Sequence, residues 1–372
     1  MSRRAAALLK LGFLLAGAAL FGALVWNAGP RAVYEELRGF GWGIGLLLLP
    51  SLAVYLIDAW AWRVSFSTPP QIGFLRLFLV RSAGESLNAT LPAAYLGGEP
   101  VKAYLLQRQG VNGPDAMASV LVAKTAMTVA QILFVILGVL AATLSPRARE
   151  HLPALLVATG LALVGATVGV GLAYLGQRQG LGRMLQGLTR RLGIGAALVE
   201  RHAAALERMD AALGQFYRQD RGRFLFATGL ALVGWLFEVV EVAVFALLLD
   251  LPLGPFEVFA IGSLATVVKA AGFFIPGSLG AQEGGNVLLF LAFGLSEVTG
   301  VTFSVVRRFR ELVWIAFGLL LLTWLGKGGR PPVSSDPGTP AADPPLFATT
   351  GSVGPAEPPA GPESEPLEGV AR

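Results

Sequence analysis

Apolar runs long enough to cross a bilayer recur along this chain, at residues 8–26, 43–62, 115–143, 153–176, 224–249 and 304–326. A helix needs ~20 apolar residues to span a ~30 Å hydrocarbon core. Every backbone polar group in lipid must also be paired, which leaves the α-helix as the only local solution for such a run. The composition agrees. Hydrophobic residues make up 54% of the chain before glycine is counted, and charged residues 14%, against ~25% charged in soluble domains. An all-α polytopic membrane protein is expected, with about six full transmembrane helices.

Some chemistry is excluded at once. With no cysteine, disulfides, thiolate zinc sites and Cys nucleophiles are absent. His151 and His202 are the two histidines, too few for a His-rich metal site. There is no Walker loop, dinucleotide fingerprint or H-E-x-x-H, and the G-x-S-x-G of a nucleophile elbow is missing around Ser278. No catalytic residue, cofactor or metal is therefore expected, and no ATP-driven pump within this chain.

The formal charge of +5 is unevenly placed. Residues 178–223 hold nine Arg against four acids, and residues 327–372 hold three basic residues against six acidic ones. Basic loops in such a chain are topology signals before they are nucleic-acid patches. Residues 178–222 read as an amphipathic, Arg-rich segment at the cytoplasmic surface. From 329 to 372 the chain is rich in Pro, Gly and Ser, with 11 of the 23 prolines lying after Lys327. Such a tail cannot bury a core and is expected to be disordered. Lys10 and Trp26 favour a membrane span over a cleaved signal peptide at the N-terminus. Residues 1–328 then form one membrane domain. The positive-inside rule puts the N-terminus and the 178–223 loop in the cytoplasm, and the tail is expected there too if 256–296 enters and leaves from the opposite face.

Two further segments, 73–106 and 256–296, are apolar but broken. "LPAAYLGGEP" (91–100) and "IPGSLGAQEG" (275–284) each place a proline seven residues before a glutamate: Pro92 to Glu99, and Pro276 to Glu283. Proline removes a backbone donor and glycine loosens a helix, so these segments free polar groups that lipid cannot satisfy. Such backbone is tolerated only inside protein or beside a water-filled cavity. A matched pair in the two halves of a chain points to a transporter's binding site. The expectation is two re-entrant helical hairpins in an inverted-repeat-like arrangement, eight hydrophobic segments in all. The competing expectation is two helix–loop–helix corners at the membrane surface.

At these residues the chain resembles a known family, the flippase-like integral membrane proteins related to the transmembrane domain of lysylphosphatidylglycerol synthases. The motifs are "NATLPAAYLGGEPVKAYLLQRQG" (88–110), "FFIPGSLGAQEGG" (273–285) and "RRFRELVWIAFGLLLLTW" (307–324). The wording of the last two is also similar to a hopanoid-biosynthesis-associated subgroup. The resemblance covers roughly residues 5–328. It implies lipid or lipid-linked substrates, a bacterial inner-membrane location, and site positions at Asn88, Pro92, Gly97, Gly98, Glu99 and Lys102 in the first block. In the second block they are Pro276, Gly277, Gly280, Glu283 and Gly284. The soluble aminoacyl-transferase domain of the synthases has no counterpart in this sequence, so a transporter is expected rather than an enzyme.

The charges inside the apolar segments complete the candidate set, because an Asp, Lys or Arg at a helix centre costs roughly 2.5–3.5 kcal/mol on insertion scales. Glu238 and Glu241 share a helix face. They form either an ion or proton site or a structural pair for Lys124 or Lys269. Arg81 and Glu85, at i,i+4, are expected to pair in part. Lys124 and Lys269 suit either a salt bridge or a lipid phosphate. Arg307, Arg308 and Arg310 form a cationic cluster suited to a phosphate headgroup. With the last helix starting at 304, that cluster lies near the outer side, an awkward place unless it lines a polar cavity or the crossings are miscounted. Asp58 reads as a cap or an interfacial group. The functional expectation is lipid translocation, with membrane lipids as partners and lipid-biosynthesis enzymes as further candidates. The alternatives are a membrane-embedded transferase acting on a lipid-linked substrate, or a scaffold for lipid-biosynthesis enzymes.

Overall fold

A computed structural model describes residues 19–90, 97–192, 196–272 and 278–327, and these contain helices and no strand. The helices are α1 (Ala19–Ala28), α2 (Pro30–Gly39), a 3-10 turn (Gly41–Leu47) running into α3 (Leu48–Val64), α4 (Phe74–Thr90), α5 (Gly98–Gln107), α6 (Gly113–Leu144) and α7 (Leu152–Gln179). They continue with α8 (Leu181–Leu192), α9 (Ala196–Arg201), α10 (Ala203–Gln219), α11 (Arg221–Leu248), α12 (Pro255–Ala271), α13 (Ala281–Ala292) and α14 (Glu297–Lys327).

Proline opens four of them, at the first or second position of α2, α6, α7 and α12. There its missing N–H has no intrahelical partner to lose. Four stretches are long and apolar enough to cross a membrane: Gly41–Val64, Gly113–Leu144, Leu152–Gln179 and Arg221–Leu248. α7 is the least buried of these four, with Val157, Leu161, Val164, Val168 and Leu172 all exposed. An apolar face of that extent belongs in lipid. α14 runs 31 residues, about 46 Å, and carries Arg307, Arg308, Arg310 and Glu311 near its middle. It begins at Glu297, seven residues before the expected 304, so the arginine cluster is mid-helix rather than at an end.

Inside the bundle α11 packs on α3, α6 and α12, while α14 packs on α4, α13 and α2. Two apolar cores result. One gathers Trp62, Leu77, Val80, Leu106, Val120 and Leu325 from α3, α4, α5, α6 and α14. The other gathers Ala142, Phe245, Ile261, Phe290 and Phe303 from α6 and α11–α14. On α14 the charged residues 307–311 lie between the two.

The Arg-rich stretch folds as α8, α9 and α10. α10 is held to α6 and α7 by Leu213, Phe216 and Tyr217. Asp210 accepts from the N–H groups of Gly182 and Arg183 at 3.0 and 3.3 Å, capping the start of α8. Tyr217 donates to Gln177 Oε1 at 2.6 Å, and Gln177 Nε2 donates to Thr125 Oγ1 at 2.9 Å. Burial pushes the Tyr217 phenol up to about 12, so it remains a donor at any ordinary pH. In the unfolded chain it ionises near ~10, so its contribution to stability should be constant below that pH and fall between ~10 and ~12. Tyr217→Phe leaves Gln177 Oε1 without this donor and is expected to cost about 1–3 kcal/mol. Chemical unfolding in detergent at neutral pH would measure it.

Candidate functional site

α4 stops at Thr90 and α5 starts at Gly98. The Asn88 side chain joins the two across the break. Asn88 Oδ1 accepts from the Gly98 N–H at 2.7 Å, and its amide donates to Glu99 at 3.2 Å and Glu85 at 3.4 Å. A Cβ at Gly98 would fall on the Gly84 carbonyl oxygen, and one at Gly84 would fall on the Lys102 stem. Small residues thus let α5 lie directly on α4. Lys102 then bridges Glu85 at 2.5 Å and Glu99 at 3.0 Å, and Lys124 reaches Glu99 from α6 at 3.4 Å.

The second break lies between α12 and α13. Gly280 has φ +79 and Ser278 φ +52, the latter uncommon for a residue other than glycine. Glu283 Oε2 accepts from the Gly280 N–H at 2.7 Å, closing the first turn of α13. Its other oxygen pairs with Arg308. Arg308 also pairs with Glu311 at 2.8 Å, and Glu311 accepts from Lys269 at 2.8 Å and from Gln282 at 3.4 Å. Pro92, Pro276 and Gly277 lie outside the described residues. Gly97 precedes α5 as its N-cap, and Gly284 is in the first turn of α13.

Several pairings differ from expectation. Arg81 pairs with Asp58 of α3, not with Glu85, which Lys102 has taken. Asp58 is therefore neither a cap nor an interfacial group but a buried partner. Glu238 and Glu241 pair with Arg307 and Arg310 across α11 and α14, not with Lys124 or Lys269. Arg310 reaches Glu238 at 3.4 Å as well. Each such pairing joins two different helices, which helix-face periodicity alone cannot foresee. Glu311 was missing from the candidate set. Its signal was its place as the single acid among four clustered charges, three residues after Arg308.

Two long helices act as rulers for the breaks. Along α14, Glu283 meets Arg308, Asn286 meets Ser304, and Val287 lies where a Cβ on Gly300 would go. α13 therefore runs from the middle of α14 toward its N-terminus. Ser82 and Ser86 of α4 face Gly318, and the first turns of α4 share the apolar cluster with Leu325. α4 therefore covers the C-terminal half and ends near Trp314. Along α6 the order is reversed: Glu99 meets Lys124, while Ser263 faces Gly138 and Glu257 accepts from Ser145 at 2.7 Å. Both breaks thus fall in the middle third of α6 and of α14, approached from opposite ends.

Between the breaks Tyr55 stacks on Trp314 (centroids 4.1 Å apart) and carries the Arg81 guanidinium on its ring at 5.0 Å. Asp58 lies where a Cβ on Gly234 would go, at 3.1 Å, one turn of α11 before Glu238. The two charged groups are therefore stacked on adjacent turns. A cavity of about 20 Å³ is lined by Asp58, Arg81, Glu99, Lys102 and Lys124, enough for a water. Among the described residues no cluster of three or more His, Asp or Glu is placed to hold a metal.

Comparison with known proteins assigns the family. The family model of the lysylphosphatidylglycerol synthase TM region matches residues 8–324. The chain belongs to that family. A UPF0104 membrane protein from Methanothermobacter thermautotrophicus (strain Delta H) is 22% identical over 325 residues, covering 84% of this chain and 94% of its own. No solved structure matches the chain significantly. Both interrupted motifs of this lysylphosphatidylglycerol synthase TM-region protein lie within the matched span, as do all the buried ion pairs described above.

Proposed function

We propose that this protein moves the headgroup of a lipid or lipid-linked molecule across the bilayer, between the two helix breaks, while the apolar tails stay in the hydrocarbon. In this reading α4–α5 and α12–α13 are re-entrant hairpins starting from opposite faces, and the six apolar runs are the full crossings. The observation that carries it is the common level of the two breaks at mid-height on α6 and α14. Broken backbone at that depth needs protein or water around it, and paired broken segments from opposite sides are how transporters build a central site. A polar layer there also removes the cost of taking a polar group through hydrocarbon.

The water-sized cavity corresponds to a closed form. Passage requires the hairpins to part from α6 or α14, whose contacts with them include Lys124–Glu99 and Arg308–Glu283. Glu238 and Glu241 serve first to lock α11 to α14, because both carboxylates are already taken by arginines. In this reading the Arg-rich α8–α10 and the N-terminus lie on the cytoplasmic side of the plasma membrane by the positive-inside rule, and the C-terminus lies there because six crossings and two re-entrant hairpins return the chain to that side.

The test is reconstitution of the purified protein into vesicles, with transfer of headgroup-labelled lipids between leaflets as the readout. Glu99→Gln and Glu311→Gln change one group at each break with almost no change in shape. For any lipid that the wild type moves, each is expected to slow transfer at least tenfold. Folded wild-type protein that moves no lipid, or folded variants that match the wild-type rate, would remove this reading.

A further inference from the structure

The ion pairs between the two breaks are charge-balanced, group by group. Asp58 stands with Arg81. Glu85 and Glu99 stand with Lys102 and Lys124. Glu238 and Glu241 stand with Arg307 and Arg310, and Glu283 and Glu311 with Lys269 and Arg308. Among the described residues that is seven carboxylates with seven cations, in four groups each formally neutral. Residues 91–96 and 273–277, which complete the breaks, contain no ionisable acid or base apart from Tyr95. A buried layer between two apolar cores tolerates little excess charge, because low-dielectric surroundings penalise any ion without a counter-charge.

This neutrality constrains what can pass. We infer that the headgroup accepted here is zwitterionic, carrying one phosphate and one ammonium on the same lipid. The inference rests on the translocation reading above. An anionic headgroup would leave one negative charge in excess, and a net cationic one the reverse. A zwitterion can instead insert into an existing ion pair, its phosphate meeting the cation and its ammonium the carboxylate. Both protein charges then keep a partner, and the total is unchanged.

Lys124 and Glu99 are the pair placed for this exchange. They are 3.4 Å apart, the Lys124 side chain is 36% exposed, and both line the cavity. Arg81, which lines the same cavity and is buried, keeps its Nη1 without a hydrogen-bond acceptor, a donor suited to a phosphate oxygen. The phosphate would rest against Lys124 and Arg81, and the ammonium against Glu99.

The experiment compares three lipids with identical tails in one neutral vesicle matrix. One has a phosphate and a primary amine, one a phosphate with an uncharged headgroup, and one a phosphate with two amines. Impermeant reagents read which leaflet each headgroup occupies. Wild type is expected to move the zwitterion at least tenfold faster than either of the others. Glu99→Gln, which leaves the site one unit positive, should shift preference toward the anion. Lys124→Gln should shift it toward the cation. Equal or faster movement of either charged lipid by the wild type overturns the inference, as does an order of preference unmoved in folded variants. If the wild type moves nothing, the translocation reading fails by itself. Retention of the same three lipids by the purified protein then decides: a tenfold preference for the zwitterion upholds the charge-matching argument, and no preference overturns it.

Discussion

Glu241→Ala is expected to destabilise the protein by about 3–5 kcal/mol, the usual cost of removing one partner from a buried ion pair. Glu241 is 1% exposed and pairs with Arg310, which is itself buried. The loss leaves Arg310 with Glu238, at 3.4 Å, as its remaining carboxylate, and Glu238 already serves Arg307. Two guanidinium groups would then share one carboxylate between two apolar cores. The penalty comes mostly from the stranded cation rather than from the lost attraction. The double variant Glu241→Leu with Arg310→Met tests that cause, because removing both charges of a buried pair is often close to neutral. It leaves Glu238 facing Arg307 one to one. Denaturant unfolding in mixed micelles should find the double variant more stable than Glu241→Ala. A double variant at least as unstable as the single one would mean that the loss comes from packing rather than charge.

Gly98→Ala is expected to cost about 2–4 kcal/mol, with 1–3 from overpacking and about 1 from a lost hydrogen bond. The added methyl would fall on the Gly84 carbonyl oxygen and close to the Asn88 side chain. To make room, α5 must lift away from α4, which stretches the Asn88–Gly98 bond and carries Glu99 and Lys102 with it. The effect should therefore reach the charged layer as well as the fold. Gly160→Ala on α7 is the matching control. Nothing lies within 4 Å of its Cβ position, and alanine is the better helix former by roughly 0.5–1 kcal/mol. The same unfolding measurement should separate the two clearly. Similar stability for both would show that the α4–α5 contact has room to spare.

Much of the fold is legible in the sequence. The expected runs at 115–143, 153–176 and 224–249 correspond to α6, α7 and α11 with ends displaced by only a few residues. The broken segments at 73–106 and 256–296 correspond to α4–α5 and α12–α13. Proline, glycine and a long apolar run act locally, through backbone donors and the absence of water in lipid, so a linear reading captures them. The expected start of the last helix at 304 puts three arginines in four residues close to its end, whereas α14 starts at Glu297. The arginines are tolerated near mid-helix because Glu238, Glu241 and Glu283 meet them there. Asp58 was misread for the same reason: its partner, Arg81, lies on another helix.

The sequence by itself determined that the chain is a helical membrane protein, where its helices break, and that it carries acids and bases which lipid cannot host alone. The tertiary structure decided which acid meets which base, and that both breaks come to one level from opposite ends of α6 and α14. Pairing between Glu238 and Arg307 or between Asp58 and Arg81 depends on how helices pack across the bundle. Helical periodicity sets the face a residue occupies, but not the helix that covers it.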